Sequence, residues 1–164
     1  MVEYQIRLGT EKDEDFLWDM LYEAIYVPEG HPKPPRDILD DPKIQCYVKS
    51  WGRKGDLSFI AVDSKNTPIG AIWIRLFKEE NKTYGFVNEN TPILSMAVLS
   101  NYRGKGVGTL LLESLIKEAK LKGITAISLS VDPNNPALNL YTRFGFKKVG
   151  IDGTSWDMVS ELQI

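Results

Sequence analysis

Leu94-Ser-Met-Ala-Val-Leu-Ser-Asn-Tyr-Arg103-Gly-Lys-Gly106-Val-Gly108-Thr-Leu-Leu-Leu112 joins an apolar strand to an amphipathic helix through a turn of glycine and cation. The first turn of such a helix leaves backbone N–H groups without intrahelical partners, and the helix dipole puts partial positive charge behind them. Glycine at 104, 106 and 108 removes the Cβ atoms that would hold an anion away, while Arg103 and Lys105 add full charge. The turn reads as a phosphate or pyrophosphate site, although plain strand-to-helix connections share this composition. Its G-x-G-x-G spacing misses the dinucleotide pattern G-x-G-x-x-G by one position. Lys105 is followed by Gly106, not by the Ser or Thr of a phosphate loop, and no paired metal-binding carboxylates accompany it, which argues against a nucleotide-dependent kinase.

A second stretch lies downstream. In Val131-Asp-Pro-Asn134-Asn-Pro-Ala137-Leu-Asn-Leu-Tyr141-Thr-Arg-Phe-Gly145-Phe146, residues Asn134, Ala137 and Tyr141 fall at i, i+3 and i+7, which predicts one face of a single helix. Gly145 suits a left-handed cap, and Phe146 then starts a strand. The series Arg103-x-x-Gly106-x-Gly108 resembles the acetyl-coenzyme A motif of the GNAT superfamily of N-acetyltransferases. The series Asn134-x-x-Ala137-x-x-x-Tyr141, followed by Gly145-Phe146, resembles that superfamily's second signature.

Outside residues 94–149 the likeness is one of element order. Tyr4-Gln-Ile-Arg-Leu alternates as a first strand, and Thr10 with Asp13 reads as the cap of a helix striped by Phe16, Leu17, Met20, Leu21, Ala24 and Ile25. Val27 to Arg36 holds too many prolines for helix and is expected to be a structured loop. Helical spacing continues over about Ile38 to Trp51. Leu57–Val62 and Pro68–Phe77 read as two antiparallel strands, followed by a polar excursion from Lys78 to Asn90. The key strand spans about Ile93 to Leu99. The helix after it runs from about Gly104 to Lys122 with Val107, Leu110, Leu111, Leu115 and Ala119 inward. A strand over Ile124–Val131, the Tyr141 helix and two closing strands complete the order β-α-α-β-β-β-α-β-α-β-β. The expected class is α/β (α+β). The resemblance implies the GNAT fold, a mixed but mostly antiparallel sheet of about seven strands with about four helices on both faces.

Composition restricts the rest. The 164 residues suit one domain, 1–164, and 20 basic against 22 acidic residues give a formal charge of −2, unlike a broad nucleic-acid or membrane surface. A single cysteine, Cys46, precludes an internal disulfide and reads as a half-buried helical thiol in a reducing interior. With one cysteine and one histidine no metal cluster is expected. The N-terminus lacks a secretory pattern, and no apolar run reaches the roughly 20 residues of a membrane span, so a cytoplasmic protein is expected.

The resemblance implies an N-acetyltransferase that passes an acetyl group from acetyl-CoA directly to a primary amine, free or on a peptide, as a monomer or homodimer. Main-chain groups of Met96, Ala97 and Val98 would then bond the pantetheine arm and polarise the acetyl carbonyl. Arg103, Gly104, Lys105, Gly106, Val107, Gly108 and Thr109 would hold the pyrophosphate, with Asn134 reaching the cofactor from the next helix. Tyr141 would be the acid for the departing thiolate, acting partly by hydrogen bonding, because a phenol near about pKa 10 has little drive to protonate a thiol near about 8.5. Glu89 is the carboxylate best placed by sequence to be the base, or else a solvated loop charge. His31, and Asp152, Trp156 and Asp157 of the last hairpin, lie in segments expected to border the acceptor, where acidic and aromatic residues suit a cationic amine although surface and core roles serve equally well. A non-catalytic acyl-CoA sensor on the same fold is the alternative.

Overall fold

A computed structural model describes residues 3–162; Met1, Val2, Gln163 and Ile164, which belong to the expected single domain, lie outside the described residues. Apolar alternation and glycine breaks produce seven strands: β1 (Gln5–Leu8), β2 (Leu57–Val62), β3 (Pro68–Arg75), β4 (Ile93–Val98), β5 (Ala126–Val131), β6 (Lys147–Asp152) and β7 (Ser155–Glu161). They form one sheet in the order β1-β2-β3-β4-β5-β7-β6, antiparallel except where β4 meets β5. The helices are α1 (Glu14–Ala24), α2 (Pro42–Gln45), α3 (Val107–Leu121) and α4 (Ala137–Arg143).

Two cores cover the two faces. On one, Val107, Leu111, Leu112, Leu115 and Ala119 of α3 and Tyr141 of α4 pack on Ile72, Ile74, Leu94, Ile127, Leu129 and Val131. On the other, Leu17, Met20 and Leu21 of α1 pack on Ile60, Ala71, Trp73 and Ala97. The expected cap sits on a 3-10 turn, Glu11–Asp13, that leads into α1: the Thr10 N–H donates to Asp13 Oδ2 at 2.8 Å and the Lys12 N–H to Thr10 Oγ1 at 3.3 Å. Arg7 then grips Asp13 with both terminal nitrogens at 2.9 Å.

Three expectations are corrected. The helix expected over 38–51 is a 3-10 turn (Arg36–Asp40), the single turn of α2 and a further turn, because Pro42 cannot continue a helix and instead begins a new one with Asp41 as its cap. Helix α3 starts at Val107, not at Gly104, since Gly104 and Gly106 hold φ of +74° and +84°. Its inward face also differs from expectation: Leu110 is exposed and Leu112 is fully buried, completing the stripe of 107, 111, 115 and 119.

The segment 42–56 owes its shape to one side chain. Arg75, 1% exposed, holds Asp56 through Nε and Nη2 at 3.0 and 2.8 Å, and its Nη1 donates to the carbonyls of Cys46 and Lys49. Asp56 Oδ2 also receives the N–H groups of Gly52 and Arg53 at 2.9 and 2.8 Å. Cys46 is half-buried, as expected, and burial pushes its thiol pKa up. Among the described residues no helix is long and apolar enough to cross a membrane.

Candidate active site

Strands β4 and β5 share a single registered pair, Ile93 with Ser128, and part beyond it. The main chain on the β4 side of this opening follows from register. The Leu99 N–H donates to the Ile69 carbonyl at 2.8 Å, continuing the β3–β4 pairing of Val98 with Gly70 and Ala97 with Ala71. Antiparallel alternation then turns the N–H and C=O groups of Ala97 and Ser95 toward β3, and those of Leu94, Met96 and Val98 toward the opening. Ala97 is therefore committed to the ladder, whereas Met96 and Val98 are not. The Val98 carbonyl already accepts from Arg103 Nε at 2.9 Å.

At the top of β4 the turn and the first residues of α3 leave six successive N–H groups, from Gly104 to Thr109, without an acceptor among the described residues. The first bond made into the helix comes only at Leu110, whose N–H reaches the Gly106 carbonyl at 3.2 Å. A Cβ at Gly104 or Gly106 would meet no atom within 4 Å, so their positive φ and open surroundings, not packing, call for glycine. Gly108 differs. A Cβ there would stand 3.0 Å from Leu140 Cδ2 and 3.5 Å from Met96 Cε, so it is small to let α4 and Met96 close on α3. Such a nest of free donors at a helix start suits a phosphate or pyrophosphate, and the open space over the glycines leaves room for one.

The cations at this turn are partly tethered. Arg103 Nη2 lies 3.4 Å from Glu23 of α1, which also pairs with Lys33 at 3.0 Å, and Lys105 Nζ rests 5.9 Å from the Tyr102 ring centroid. Val107 is buried and Thr109 half-buried at the mouth of the nest.

Tyr141, on α4, is 7% exposed and stacks edge-on against Phe146 at 5.8 Å. Burial pushes its phenol pKa up, and no hydrogen bond engages its hydroxyl among the described residues. Asn134 is corrected in placement: it lies in the turn before α4, because Pro136 delays the helix to Ala137. Its N–H donates to Asp132 Oδ1 at 2.9 Å, and its carbonyl accepts from Tyr26 at 3.3 Å, which draws the proline-rich loop against this turn.

The remaining candidates are spread out. Glu89 is exposed and its Oε2 accepts the Glu79 N–H at 2.9 Å, closing the 78–90 loop on itself. His31 is exposed, with Nδ1 3.4 Å from the Glu29 carbonyl. Trp156 pairs with Val131, packs half-buried on the α3 and α4 face, and carries Lys148 Nζ at 4.4 Å over its ring. Asp157, beside it in the same hairpin, pairs with Ser130 and faces the other way.

A family model described as the acetyltransferase (GNAT) family matches residues 17–146. The chain is 37% identical over 78 residues, 44% of its length, to a "[ribosomal protein bS18]-alanine N-acetyltransferase" of Haemophilus influenzae, covering 53% of that protein. It is 34% identical over 116 residues, 67% of its length, to "N-alpha-acetyltransferase 30" of Saccharomyces cerevisiae, covering 62%. The chain thus spans about half to three fifths of these relatives. In fold it is similar to the PaiA N-acetyltransferase of Thermoplasma acidophilum in complex with coenzyme A, at TM-score 0.67 and 21% identity over 97% of this chain and 99% of that one.

Proposed function

Because this chain belongs to the acetyltransferase (GNAT) family, we propose that it transfers an acetyl group from acetyl-CoA to a primary amine by direct attack. The observation that carries this reading is the run of six free N–H groups from Gly104 to Thr109 at the head of the opening between β4 and β5. These donors, with Arg103 and Lys105, take the pyrophosphate. The free main-chain groups of Met96 and the N–H of Val98 bond the pantetheine arm along the opening, and a donor among them polarises the acetyl carbonyl as it becomes an oxyanion. Asn134 supports the cofactor from the turn before α4.

Tyr141 serves the leaving group. A phenol held neutral by burial donates to the developing thiolate and passes its proton to sulfur. Its uncommitted hydroxyl supports this role over packing alone. Glu89 has one oxygen engaged in its own loop, and His31 and Trp156 border the acceptor only as loop and core residues, so these three carry less of the reading.

The acceptor class tested first is a peptide α-amine, since the two curated relatives are named for N-terminal or alanine N-acetylation. An α-amine, of pKa about 8, is also easier to deprotonate than a lysine side chain near about 10.4. The test is thiol release from acetyl-CoA with short peptides, free amino acids and polyamines. Turnover with one class establishes both reaction and acceptor; coenzyme A binding without turnover favours the sensor.

A further inference from the structure

The β5–β7 register divides the strand faces. Ile127, Leu129 and Val131 of β5 pack with α3 and Tyr141, so Ser128 and Ser130 face away from them. Asp157 is the direct partner of Ser130 and shares that far face. Ser130 stands two residues past the single Ile93–Ser128 pair, where β4 and β5 have already begun to part. The cofactor nest and Tyr141 approach the opening from one side, and Asp157 borders it from the other.

The environment of Asp157 is built and incomplete. Its Oδ1 is fully buried and has no hydrogen-bond partner among the described residues. A buried anionic acceptor left unpaired is costly, and a carboxylate usually meets a donor in such a place. Ser130 faces Asp157 from β5, and Gly150 of β6 leaves room at its Oδ2, where a Cβ would come to 3.7 Å. The turn 83–86 crosses over β5 so closely that a Cβ on Gly85 would lie 3.1 Å from Ser130 N. Tyr47, whose hydroxyl donates to the Tyr84 carbonyl at 2.7 Å, closes this side. No lysine or arginine pairs with Asp157 among the described residues. Burial and the nearby Asp152 push its carboxyl above the ordinary value, and only the Gly85 N–H draws it back.

We propose that Asp157 receives the protonated amine of the acceptor and takes its proton, the acceptor entering from the face opposite α3 and α4. This rests on the acetyl-transfer reading. The ammonium N–H bond breaks toward a carboxylate oxygen, and the freed lone pair forms the C–N bond at the thioester carbon. The C–S bond breaks with its electrons on sulfur, which takes the Tyr141 proton, and the second nitrogen proton restores the phenol. One proton leaves from Asp157 on product release, so an ammonium and a thioester become an amide, a thiol and that proton.

The test compares wild type, Asp157→Asn and Asp157→Glu with the best peptide amine and with weakly basic trifluoroethylamine, alongside calorimetric titration of coenzyme A. Asp157→Asn should lower kcat/KM for the peptide by on the order of 100-fold or more. Trifluoroethylamine, already neutral, should lose far less. Coenzyme A affinity should hold, and Asp157→Glu should recover part of the rate. Equal losses for both amines, or a parallel loss of coenzyme A affinity, would make Asp157 structural and overturn the proposal. A wild type that acetylates no amine overturns the acetyl-transfer reading itself, and the role of Asp157 with it.

Discussion

The segments 42–56 and 99–106 are both irregular connections containing glycines and cations, yet they treat their polar groups in opposite ways. In the first, Arg75 and Asp56 collect the carbonyls of Cys46 and Lys49 and the N–H groups of Gly52 and Arg53. In the second, and in the helix start after it, six N–H groups stay free. Irregular backbone is thus scaffold where its hydrogen bonds close inward and a site where they do not. Glycine content alone does not separate the two.

Substitutions can break this contrast at either end. Asp56→Ala should cost the most, about 3–5 kcal/mol in denaturant unfolding, because it leaves the 1%-exposed Arg75 guanidinium as an unpaired buried charge. A loss under 1 kcal/mol would show that the 42–56 segment does not depend on the pair. Gly106→Val should weaken coenzyme A binding by on the order of 100-fold in calorimetry, since a branched side chain is forced onto a φ of +84° and into the path of the phosphate. Normal affinity there would remove the free N–H run from the binding site.

Tyr141→Phe sharpens the contrast from the catalytic side. It should lower kcat by roughly 10- to 100-fold and leave coenzyme A affinity and thermal stability nearly unchanged, as no protein hydrogen bond is lost. An unchanged kcat with chemistry limiting would leave Tyr141 as packing. Asp13→Asn is the mildest, about 1 kcal/mol, because it weakens an Arg7 pair and a cap at the start of α1. Arg7 holds the Asp13 carboxyl below its ordinary pKa, so the stabilisation is present above the unfolded value near about 3.9 and fades as pH falls through the folded one. Urea midpoints of the two proteins should therefore converge on acidification.

Regular elements with their own signal were legible in the sequence. Strands β2, β3, β4 and β5, the capped turn leading into α1 and the glycine that ends α3 are local patterns of apolar runs and breakers. The segment after residue 38 was not, because its helical spacing is interrupted by Pro42 and its path is imposed by Arg75, far along the chain. Leu110 is exposed and Leu112 buried because, at about 100° per residue, 110 lies farther than 112 from the line through 107, 111, 115 and 119. The donor-rich turn could be read from Arg103 to Gly108 in one line of sequence. Asp157 could be read only as one of the acidic residues of the last hairpin, since its pairing with Ser130 and the 83–86 turn folded over it come from the fold.

The single Ile93–Ser128 pair has a mechanical meaning. It makes the sheet two leaves, β1 to β4 and β5 to β6, pinned at one rivet and strapped by α3. On the proposed reading, an amide-bearing arm laid along Leu94 to Val98 would act as a borrowed strand that stitches the leaves together. The ligand would then also be a fastener, and the stability of the molecule would rise with its concentration.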